Sequence, residues 1–185
     1  MTSILPFDEL NSLTESIISR FGGTTLSREE GREDIIDELL DLFLLAYAQG
    51  NEVTNANLES NWNPTLDDVM SVVDEEVAGK TWRERVEDYF ANGGTGADIV
   101  RIAETESHRI ANTAALDAAR HGGAKKKTWV TMLDDRVREQ HEWLEGVTVG
   151  IDEDFYTDDG DHASAPGLFT FAQNNVNCRC ELLFE

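Results

Sequence analysis

Two thiols one residue apart, Cys178 and Cys180, are the only cysteines in the chain. With His141 and His162 upstream they offer two sulfurs and two nitrogens, a donor set that suits tetrahedral zinc. On an extended strand both thiols fall on one face. The spacing, twenty residues between the histidines and fifteen to the first cysteine, matches no short zinc motif. A disulfide between such close neighbours would be strained, so the plainer reading is a pair of reduced thiols packed as small apolar groups. The expectation is no bound cofactor, with zinc on His141, His162, Cys178 and Cys180 as the alternative.

Asp134-Asp135-Arg136, followed by Arg138, His141 and Glu142, stands where a strand ends and a helix begins. A metal-dependent nuclease or hydrolase could use Asp134, Asp135, His141 and Glu142. The ordinary reading is an Asp cap and solvated Arg and Glu pairs on the outer face of a helix. A zinc-protease helix is excluded, because Glu145 stands where the second histidine is required. The acidic loop Asp152-Glu153-Asp154 to Asp158-Asp159-Gly160-Asp161 invites calcium, but the glycine position of an EF-hand falls on Thr157 or Asp159 in the two registers. There is no Gly-x-Ser-x-Gly elbow. Gly93-Gly94-Thr95-Gly96 lacks the lysine of a phosphate loop and reads as a linker.

The formal charge is −22 over 185 residues, with 21 acidic against 6 basic side chains in residues 1–100 and 16 against 9 in residues 101–185. Bulk charge of this sign repels phosphate backbones. Lys125-Lys126-Lys127 is the only basic run; it reads as a solvated turn, with a local contact to packaged DNA or an acidic partner as the alternative. An acidic DNA-mimic inhibitor is a further reading of the charge. The apolar run at residues 42–48 is too short to span a bilayer, and no secretory signal is visible. The expected location is cytosolic or inside a virion.

The elements that would position these residues begin with helices. Residues 7–21 read as an amphipathic helix after Pro6. A second helix starts at Ser27 with Glu30 three residues on, carries Ile35, Ile36, Leu39, Leu40, Phe43, Leu44 and Tyr47, and is expected to end at Gly50. Its apolar face is too wide to leave in water. Pro64-Thr65 opens a third helix, and a fourth runs from Trp82 to the glycines at residues 93–96, the expected domain boundary. A long helix follows from Asp98 to His121. The period then changes: strands are expected at residues 128–133, near Val149 and at residues 178–184, with a short helix at residues 136–144 and a long irregular loop at residues 152–177. The fold class is α+β: a helical N-terminal half, then a long helix and a small antiparallel sheet. The last strand is expected to pair with the strand at Trp129, and Glu106 or Arg109 to meet Asp135 or Arg136.

An ordered series of small motifs in residues 97–185 resembles the phage head-morphogenesis family of Mu F-like minor head proteins. The helix carrying Arg101, Glu104, Thr105, Glu106, Arg109 and Asn112 resembles the family's Ala-Arg-Thr-Glu helix, with Glu104 where an arginine is usual. Trp129, then Asp135-Arg136-Val137-Arg138 and His141, Gly146, Pro166 and Asn177-Cys178-Arg179-Cys180 follow in the family's order. Many relatives carry Cys-x-x-Cys where this chain has Arg138-Glu139-Gln140-His141, which leaves His141 and the Cys-Arg-Cys end of such a zinc set. Some relatives append toxin or enzyme domains after that end; here Glu181-Leu182-Leu183-Phe184-Glu185 follows. The resemblance implies a non-enzymatic minor capsid protein that associates with the portal vertex or other capsid proteins, assists head assembly or DNA packaging and ejection, and has no membrane partner. Residues 1–96 would be a helical region that docks on the portal.

Overall fold

The computed structural model describes residues 30–185. The helix expected at residues 7–21 and the Ser27 start lie outside them. Among the described residues, helix α1 (Glu30–Asn57) comes first. Ile35, Leu39, Leu42, Phe43, Ala46 and Tyr47 recur at helical spacing and are all buried. α1 does not stop at Gly50. There the missing side chain lets it lie directly on the long helix α4 (Gly96–His121): a Cβ at Gly50 would stand 2.2 Å from the Ala111 carbonyl oxygen. The glycine sets a close helix crossing, and Asn51, Asn55 and Asn57 lie in the continuing helix, which ends at Asn57.

Helices α2 (Leu66–Val73) and α3 (Trp82–Asn92) begin with capping boxes, Thr65 with Asp68 and Thr81 with Glu84. Each threonine side chain takes a backbone N–H of the first turn, and the acid returns to the threonine N–H. α3 ends at Gly93 in the left-handed region. Together, α1 to α3 and the first half of α4 enclose one core, in which Trp82 meets the Phe43 ring edge-on at 5.1 Å. The apolar face of α1 is therefore covered within the chain, while Glu33, Asp34, Asp37 and Asp41 line its exposed side.

The second core lies between Leu116 on α4 and a three-stranded antiparallel sheet in the order β2-β1-β5. The strands are β1 (Lys126–Val130), β2 (Thr148–Gly150) and β5 (Glu181–Phe184). Trp129 pairs with Leu182, and both are fully buried, so the expected pairing of the last strand with the Trp129 strand is present. Both strands are shorter than expected. Leu133 turns out of the first at φ 54° and is exposed, and Asn177 at φ 56° makes a turn ahead of β5. The short helix α5 (Glu139–Glu142) follows β1. The long loop contains a hairpin of β3 (Phe155–Tyr156) and β4 (His162–Ala163), and the single turn α6 (Ala172–Asn175). The α+β class, with a helical first half, a long helix and a small antiparallel sheet, is the observed architecture.

Candidate functional site: a buried thiol–imidazole cluster

α5 and the turn before β5 bring three chemically active side chains together. Arg138 is the N-cap of α5 and also bonds the Val176 carbonyl, which ties the helix to the turn. His141 on this helix is buried, its ring 5.5 Å from both Trp129 and Phe169. Its Nδ1 lies 3.6 Å from Cys178 Sγ and 3.5 Å from Cys180 Sγ. Its Nε2 is buried without a hydrogen-bond partner.

The turn is held from its backbone. Cys178 N–H donates to the Asn175 carbonyl at 3.0 Å, Asn177 N–H to Thr105 Oγ1 at 3.1 Å, and Asn112 Nδ2 to the Cys180 carbonyl at 3.1 Å. Arg179 turns away from the thiols and donates twice to Asp134, at 2.7 and 2.8 Å, which holds that carboxyl below the usual range. The Cys178 thiol is drawn well down by the Cys180 hydrogen bond and by His141, whereas Cys180 is pushed up.

The other sequence candidates are dispersed. His162 is exposed in the hairpin, where Nδ1 lies 2.9 Å from Asp154. Asp135 and Glu142 are exposed and Asp134 is held by Arg179, so the four residues of the nuclease reading do not converge. In the acidic loop Asp161 is buried; burial raises its carboxyl, but hydrogen bonds from Thr170, Asn174 and the Phe171 N–H lower it overall. It ties the loop together. Lys127 belongs to the fold: its Nζ donates to the Ser164 carbonyl at 2.8 Å, and burial pushes it down to about 8. The basic run therefore presents only Lys125 and Lys126 to solvent.

Nor do Glu106 and Arg109 meet Asp135 or Arg136. Arg109 is buried and bonds Glu106 at 2.7 Å, Glu75 at 3.2 Å, and the Val72 and Val73 carbonyls at 2.9 and 3.1 Å. Its guanidinium bonds the last two carbonyls of α2. Arg85 approaches Glu106 from α3 at 3.6 Å. Arg101 pairs with Asp98, and Glu104 is exposed. Gly146 supplies a positive φ, and Pro166 is buried next to Gly167, whose missing side chain lies over Arg109. Sequence reasoning missed His108, which is buried and held down at about 4; burial is the main cause.

Among the described residues no helix is long and apolar enough to cross a membrane. No solved structure matches the chain significantly. It is 34% identical over 85 residues to the minor head protein GP7 of Bacillus phage SPP1, covering 44% of this chain and 28% of that protein. Over 85 residues it is also 36% identical to NAD(+)–arginine ADP-ribosyltransferase EFV of Enterococcus faecalis, covering 44% of this chain and 17% of that protein. The chain thus spans less than a third of either curated relative. The family model for phage Mu protein F like protein matches residues 48–183, which takes in α4, the thiol–imidazole cluster and the sheet up to Leu183, and the chain belongs to that family.

Proposed function

We propose that the chain is a minor head protein of a tailed phage that binds at the portal vertex and assists head assembly or DNA packaging and ejection, without catalysing a reaction. The family match over residues 48–183 carries this reading, and the identity to a minor head protein supports it. The arrangement of the motif residues also favours a structural role, because Thr105, Glu106, Arg109, Asn112 and Arg179 are engaged in ties between elements. The match to the transferase covers 17% of that protein, and its named activity stays with that protein.

The exposed acidic side of α1, with Glu33, Asp34, Asp37 and Asp41, suits a partner surface carrying Lys and Arg. Association through it weakens as salt shortens the reach of charge. Co-sedimentation of the full chain with portal oligomers and with empty heads over a salt series tests the reading. Binding at low salt that the triple variant Asp34→Lys, Asp37→Lys, Asp41→Lys loses is the expected result. A full chain that sediments with neither particle at low salt refutes it.

A further inference from the structure

Among the described residues, His141, Cys178 and Cys180 form a group of metal-capable side chains whose ligand atoms lie within 4.8 Å of one another, and all three are buried. We propose that the chain binds one zinc ion through Cys178 Sγ, Cys180 Sγ and His141 Nδ1, as a structural ion that ties α5 to the turn before β5.

The distances carry the argument. Zn–S bonds of about 2.3 Å and Zn–N bonds of about 2.0–2.1 Å at the tetrahedral angle put sulfur and nitrogen about 3.5 Å apart. The observed separations are 3.6 and 3.5 Å. One Nδ1 shares one proton with one sulfur, yet it stands equally close to both, and a cation between the three donors satisfies them together.

The surroundings fit the same ion. Two thiolates and one divalent cation sum to zero charge, which is the form that burial beside Trp129 and Phe169 tolerates. The nearest arginine in the sequence, Arg179, spends two donors on Asp134 rather than on the sulfurs. The donors are also held by contacts that do not involve an ion: Asn112 on the Cys180 carbonyl, Asn175 on the Cys178 N–H, and Arg138 on the Val176 carbonyl. Such a site is preorganised, and the mixed sulfur and nitrogen set favours zinc over magnesium or calcium. These three side chains supply three of the four positions of a tetrahedral ion.

The proposal stands apart from the head-protein reading, and its test uses the full chain and metal alone. Protein produced with added zinc and dialysed is analysed for metal, and the cobalt(II)-exchanged form is examined by absorption spectroscopy. About one zinc per chain is expected, together with a thiolate-to-cobalt charge-transfer band and the visible absorption of tetrahedral cobalt. Cys180→Ser weakens the band, and the double variant Cys178→Ser, Cys180→Ser abolishes it. His162→Ala, remote from the cluster, leaves both readouts unchanged. Because the cysteine variants are liable to unfold, the wild-type protein gives a second measurement: chelation lowers its melting temperature and zinc restores it. Wild-type protein that retains no zinc and gives no cobalt–thiolate band overturns the proposal. So does zinc that persists in a folded double-serine variant.

Discussion

Replacing Gly50 with alanine separates two physical effects of opposite sign. On propensity alone, Gly to Ala within a helix stabilises by about 1 kcal/mol. At this position the new Cβ would stand 2.2 Å from the Ala111 oxygen, 2.9 Å from its carbonyl carbon and 3.0 Å from its Cα. All three are backbone atoms of α4, so no rotamer change relieves the contact, and α1 and α4 must part by about 1 Å to reach ordinary van der Waals separation. Overpacking of this kind costs about 1–3 kcal/mol, and a rigid backbone neighbour places it at the upper end. The net loss is about 2 kcal/mol after the propensity gain, or about 4–8 °C in melting temperature for a chain of this size. Urea and thermal unfolding followed by circular dichroism measure it. The double variant Gly50→Ala, Ala111→Gly is expected to show no rescue, because the Ala111 side chain is not what the Cβ meets. A Gly50→Ala protein as stable as the wild type refutes the close-crossing account of α1 and α4.

Two further outcomes follow from buried charge. Arg109→Met leaves Glu106 buried with only Arg85 nearby and removes the guanidinium donors from the Val72 and Val73 carbonyls, so a loss of about 3–5 kcal/mol is expected in urea unfolding; a loss under about 1 kcal/mol contradicts the tie. For His108, burial sets the folded value at about 4 against an ordinary 6.5. Between those values the unfolded chain binds more protons, so stability rises with pH. The contribution is complete above pH 6.5 and is lost as pH falls towards 4, by roughly 3 kcal/mol. Urea midpoints of wild type and His108→Gln at pH 4.5 and 7 check this, and equal pH slopes would contradict it.

What the sequence reveals is governed by the range of the interaction that decides each feature. The start of α2 at Thr65 was legible because a cap acts within four residues, and the box of Thr81 with Glu84 that opens α3 is as local but was not read. Trp129 opposite Leu182 was legible because a small sheet has few places to bury both side chains. Gly50 misled because a glycine that ends a helix and one that admits a neighbouring helix look alike until the neighbour is known. Lys127 read as a solvated turn because its acceptor, the Ser164 carbonyl, is 37 residues away. The same distance hid the cluster. His141 is separated from Cys178 by 37 residues and a hairpin that local pattern does not reveal, so His162 looked an equal candidate.

The motif residues along α4 make sense once that helix is seen as the wall shared by both cores. From one side, Arg109 reaches α2 through the Val72 and Val73 carbonyls. From the other, Thr105 accepts from Asn177 and Asn112 donates to the Cys180 carbonyl, so both hold the turn that carries the thiols. Gly167 lies over Arg109 with no room for a side chain. Polar groups fill these positions because each bonds backbone groups at the ends and turns of other elements, and an apolar side chain would take that partner away. The cysteine turn is therefore anchored through the long helix, and a disturbance of Asn112 or Thr105 is transmitted to Cys178 and Cys180 without touching either sulfur.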